Sequence, residues 1–240
     1  MLRIHVAFIL GKRTLLILSL SMIGLVTLFA YYADVLENYE VLDVDRTLNL
    51  SMYVCDCVSL LEFALVMLGI AIASSAYSET ASAYLIYLVC NRKTKLSAIL
   101  SKALAVLMIE LAFAWLILIF FYLIPRFFTP YSLNFIDSTS LFSFLFEEML
   151  FYTFLHSLGM IVFRNHLSLV LPLLLFFIVN QADSLAQIDQ SRLLGIANMI
   201  IPNLILCPDG YTGYGNQLLY SLTLIMLVIA ATLLHLRSDI

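Results

Sequence analysis

The sequence predicts an all-α polytopic membrane protein: six transmembrane helices, an N-terminal interfacial helix, and a re-entrant helical hairpin between helices five and six. Three observations carry that expectation. Of the 240 residues, 63% are apolar and only 12% are charged, against about half and about a quarter in soluble domains. The apolar residues fall in runs of about twenty, the length that crosses a bilayer as helix. The basic residues between those runs alternate between many and few, as a sidedness signal should. A soluble globular domain, a disordered chain and a nucleic-acid binder are excluded on these grounds. The net charge of −4 points to no polyanionic partner, nucleic acid included.

Residues 14–32 form the first run, behind Arg3, His5, Lys12 and Arg13. It is longer than a signal-peptide core and is followed by the bulky Tyr31 and Tyr32, so it reads as a retained span. Ahead of it, residues 2–10 are short and apolar with Arg3 and His5 interspersed, a pattern for a helix along the interface. The further runs cover 52–73, 98–124, 141–163, 167–182 and 217–236, with an inner loop at 74–97 and Pro125 closing the third. Segment 183–216 is too apolar for an exposed loop. Gly195, Asn198, Pro202 and Asn203 break it too often for a seventh crossing. A hairpin dipping into the outer leaflet satisfies both facts, provided protein covers its backbone breaks.

With the N-terminus inside, nine bases fall on the inner side (Arg3, Lys12, Arg13, Arg92, Lys93, Lys95, Lys102, Arg164, Arg237) and three outside (Arg46, Arg126, Arg192). Both termini are therefore expected in the cytoplasm, with the chain in the plasma (inner) membrane.

Candidate chemistry is sparse. Cys55, Cys57, Cys90 and Cys207 read as packing residues, because cysteines two apart on a helix point away from each other. No paired-histidine motif or phosphate-binding loop is present, so neither catalytic nor metal-ligating residues are expected. Glu62 and Glu110 lie mid-run, where a charge costs at least about 2.5–3.5 kcal/mol on insertion scales. They either line a substrate path or act as hydrogen-bonded packing groups between helices. Glu147 and Glu148 fall near the outer end of the fourth run and read as solvated.

The most motif-like stretch is Tyr77–Lys102: a short amphipathic helix, the basic cluster Arg92-Lys93-Thr94-Lys95, then Ser101-Lys102 entering the next span. It resembles the first inner loop of the membrane subunits of type-2 ABC transporters, which holds a coupling helix. Glu79 stands for that family's acid, Leu85, Ile86 and Leu88 for its apolar helix, Arg92, Lys93 and Lys95 for its basic turn, and Lys102 for its lysine. Ala81-Ser82 stands where Gly-Thr is usual, and Ser101 replaces a glycine. The resemblance implies a non-catalytic permease subunit of an exporter for an antimicrobial peptide, lipid or drug. It further implies soluble ATPase subunits that carry ATP and Mg, no cofactor in this chain, and a second permease subunit, identical or related. Two other readings stand beside it: a proton-coupled secondary transporter using Glu62 and Glu110, and a structural membrane subunit of a larger complex.

Overall fold

A computed structural model describes residues 1–38, 46–78, 92–128, 135–163, 167–189 and 217–237. Seven α-helices make up almost all of these described residues: α1 Leu2–Ile9, α2 Lys12–Asn38, α3 Arg46–Ala76, α4 Arg92–Phe128, α5 Phe135–Phe163, α6 Leu167–Asp189 and α7 Gln217–Arg237. No strand occurs among them. Three helical stretches are long and apolar enough to cross a bilayer, as a membrane protein requires: Lys12–Asp34, Lys95–Phe127 and Phe142–Phe163. Shorter apolar stretches lie at Leu60–Ala76, Ser168–Val179 and Ser221–Leu234.

The helices run past the limits set by the apolar runs. α4 starts at Arg92, so its basic cluster opens the helix rather than forming a turn. Bases in a first turn oppose the helix dipole by only about 0.3–1 kcal/mol each, less than is gained by continuing the bonded ladder. Pro125 does not close the run either, since α4 continues to Phe128. So near the helix end, proline forfeits a single backbone bond, to the Phe121 carbonyl. α6 continues to Asp189, because no glycine or proline interrupts the chain between Pro172 and Gly195. The remainder of the expected re-entrant segment, 190–216, and the amphipathic loop at 79–91 lie outside the described residues.

α3 packs most extensively along α5, which also carries α6 and α7. α2 lies against α3 and α4. Phe29 of α2 meets Phe121 of α4 edge-on at 5.6 Å, and Phe121 meets Phe142 of α5 at 5.6 Å. The outward faces are apolar, with Leu16, Leu20 and Ile23 of α2 and Leu100, Met108 and Leu116 of α4 exposed. Faces so extensively apolar call for a lipid environment. α1 is anchored rather than merely laid on the surface: His5 and Ile9 are buried, and the helix packs on α4 and α3.

Candidate functional site

Ionisable and hydroxyl side chains form a buried column where α3, α4 and α5 meet. α3 contributes Glu62 and Ser74, α4 contributes Lys102 and Glu110, and α5 carries a continuous stripe. On α5, Glu148, Tyr152, Thr153, His156 and Ser157 follow one another at intervals that keep them on one face, and all five are buried. From Glu148 to Ser157 the column extends about 13 Å along α5, at about 1.5 Å per residue.

At its centre α3 and α5 approach closely because Gly69 has no side chain. A Cβ there would collide with Thr153 Oγ1 and lie 3.2 Å from the Met149 carbonyl oxygen. Thr153 Oγ1 donates to Glu110 Oε1 of α4 at 2.6 Å, tying the third helix to the same point. Glu110 has 0% exposure.

Toward the chain end of α3, Tyr77 hydrogen-bonds the Ser157 hydroxyl. Ser157 Oγ donates to the Thr153 carbonyl at 2.8 Å, which leaves its lone pairs to accept from tyrosine. Burial, with a smaller push from Glu110, raises the Tyr77 phenol to about 12 against the opposing Ser157 bond. The phenol therefore keeps its proton for Ser157. Lys102 places its ammonium over the Tyr77 ring, 4.3 Å from the centroid, a cation–π geometry. His5 of α1 lies in the same region. Burial first, then the charges of Lys102 and the chain's amino terminus, hold it below its ordinary value.

In the other direction along the column, Glu62 of α3 and Glu148 of α5 share a hydrogen bond. Two carboxylates have no proton to donate, so the pair holds at least one. Tyr152 stands beside them. Glu147 turns the other way and accepts from Ser221 Oγ of α7 at 3.1 Å. The expectation that Glu148 is solvated is therefore wrong: at 1% exposure it faces α3. The run's apolar outer turns place it deeper in the bundle than its distance from the loop suggests.

A second cross-helix link follows from Pro172. Lacking an N–H, Pro172 cannot serve the carbonyl four residues before it, that of Ser168. His156 Nδ1 donates to that oxygen at 2.9 Å. In the neutral ring Nε2 then accepts, and the Ser74 hydroxyl of α3 donates to it at 2.8 Å. Gly159 permits the approach, since a Cβ there would lie 3.1 Å from Ser168 Cα. One imidazole thus joins α3, α5 and α6.

Of the residues singled out in the sequence, Glu62, Glu110 and Lys102 belong to this column. Lys95 opens the described part of the α4 surface and is partly buried. Glu79, Leu85, Ile86 and Leu88 lie outside the described residues, as do the side chains of Arg92 and Lys93. Sequence reasoning missed Gly69, Tyr77, Glu148, Thr153, His156 and Ser157, although the polar stripe at helical spacing on α5 was readable. Among the described residues no group of histidine, cysteine, aspartate and glutamate could hold a metal ion.

Fold and site define a class, an all-helical membrane protein with a buried ionisable column. No family model matches the chain, and no curated protein matches it.

Proposed function

We propose that this chain is the permease subunit of an ATP-driven exporter of the type-2 ABC kind. One observation carries the reading. The segment resembling a coupling helix, Tyr77–Cys90, connects α3 and α4; these two helices supply Glu62, Lys102 and Glu110 to the column, and the segment's own first residue, Tyr77, lies in it too. A push on that segment from a docked ATPase acts on both helices at once. The column's hydrogen bonds pass the displacement to α5, and through His156 to α6. On this reading, six apolar helices span the inner membrane with both termini cytoplasmic. A second permease subunit faces the first. The cargo is an antimicrobial peptide, a lipid or a drug, and catalysis is left to the ATPase chains.

Replacing Glu79, Leu85 and Ile86 together should release the ATPase subunit, or uncouple its ATP hydrolysis from transport, while thermal stability stays at the wild-type value. Co-purification from membranes with hydrolysis measured on the same sample is the check. Unchanged retention together with unchanged coupling rejects the reading.

The carboxyl pair supports a second reading, proton-coupled secondary transport through Glu62 and Glu148. Glutamine keeps shape and hydrogen-bonding capacity but does not ionise. Under the ATP-driven reading Glu62→Gln and Glu148→Gln retain most activity in proteoliposomes. Activity that vanishes in both variants and requires a proton gradient decides for the proton-coupled one.

A further inference from the structure

A crevice of about 160 Å³ lies between α4 and α5 and shares no residue with the buried column. Its floor is Ala114 and Leu118 of α4 with Phe142 of α5, all buried, and its walls include Leu111, Trp115 and Phe146. Ser143 brings the single polar side chain of the lining. The space exists because Ala114 puts one methyl group where Leu111, Trp115 and Leu118 put large side chains. The mouth opens sideways. Leu111 and Trp115 are 39% and 49% exposed, and with Leu104 and Met108 they form one exposed stripe at helical spacing on α4. Trp115 stands only four residues, about 6 Å, from the midpoint of the Lys95–Phe127 stretch. At that depth the mouth meets hydrocarbon, not water or head groups.

We propose that this crevice is a binding site for one acyl chain of a membrane lipid. Size and access together choose that occupant. A void of about 150 Å³ lined by Leu, Ile and Phe stays dry and admits a six-carbon ring, so this one excludes water and holds about six chain carbons. A helix from a second copy, about 10 Å across, covers the mouth without entering it. A sterol's four fused rings exceed the space that one ring fills. Left empty, the lining forgoes dispersion contacts on its open side. The chain enters from the leaflet, with Trp115 on the α4 side and Phe146 on the α5 side, and bridges the two helices across the gap. The inference is independent of the transport reading, since it needs only that α4 and α5 cross a bilayer.

Trp115 is the chain's one tryptophan, so its fluorescence reports on the crevice directly. The test takes the full chain, purified in a detergent with a rigid sterol body, and titrates in phosphatidylcholine with brominated acyl chains, which quench tryptophan on contact. Quenching should saturate at one lipid per chain, above a shallow non-saturable rise from lipid dissolved in the micelle. Ala114→Phe fills the floor of the crevice and should abolish the saturable phase while keeping the shallow rise. Its unfolding temperature should stay at or above the wild-type value, as filling a cavity allows. Should that variant fail to fold, Ala114→Val serves in its place, with the lipid bound about threefold more weakly for the loss of a few dispersion contacts. Quenching that never saturates, or a saturable phase unchanged in these variants, overturns the proposal. So does a Trp115 that brominated lipid does not reach, as a second copy seated over the mouth would leave it.

Discussion

Two seams hold the described helices together, and they use opposite chemistry. Between α2 and α4 the contact is apolar: Leu18, Leu25 and Phe29 are buried in the same cluster as Val106, Ile117 and Phe121. Between α3 and α5 the contact runs through Glu62 with Glu148, Gly69 against Thr153, and Ser74 with His156. In lipid the difference matters, because tails solvate Leu and Phe as well as another helix does. The apolar seam gains chiefly from shape. The polar seam gains from groups that have no partner in hydrocarbon, and from close approach at small residues. It therefore fixes which helix faces which, and it is where a rearrangement has discrete alternatives.

The contrast is broken most severely at Gly69. Gly69→Val drives two methyl groups into Thr153 and Met149, an overpacking of about 1–3 kcal/mol, and displaces Thr153 from Glu110. Thermal unfolding in detergent should show the largest loss of any single substitution considered, partly relieved by Thr153→Ala in the same chain. Next comes the link made by His156. His156→Ala leaves the Ser168 carbonyl without a donor, at about 1–3 kcal/mol. Adding Pro172→Ala restores an N–H for that oxygen, so the double variant should be more stable than His156→Ala alone. Additive losses in that double-mutant cycle would show that the proline does not explain the bond.

Phe29→Leu samples the apolar seam for contrast. With lipid and neighbouring side chains able to repack, its loss should stay under about 1.5 kcal/mol, measured in the same assay. The smallest effect is a pH dependence at α1. The His5 value lies below the ordinary 6.5, so the unfolded chain takes up the proton first as pH falls. Stability contributed by the neutral imidazole is thus fully present above about 6.5 and declines below it. His5→Gln should flatten the slope of unfolding temperature between pH 7.5 and 5.5.

Much of this architecture was legible in one dimension. Each of the six apolar runs lies within one of the helices α2 to α7, because a run of apolar residues is itself the signal. Helix limits were less legible. Backbone bonding continues past the apolar stretch, so Arg92 and residues 183–189 are helical although they read as loop. Glu62 and Glu110 stood out as charges in apolar surroundings. Glu148 did not, because its burial depends on α3 lying against that face of α5. The His156 link was hidden for a related reason: its acceptor exists only because Pro172, in another helix, leaves a carbonyl unserved.

The proposed transport function requires that nucleotide on a partner ATPase move the ends of these helices that it places at the inner face of the membrane relative to one another. Leu100 on α4 and Leu169 on α6 are both exposed, so spin labels there leave the column intact. Distances measured by electron–electron resonance in nanodiscs, on the complex purified with its ATPase, test the claim directly. The account predicts a shift of about 5 Å, one helical turn, between the nucleotide-free and ATP-vanadate-trapped states. An unchanged distance distribution in a sample that hydrolyses ATP would contradict it.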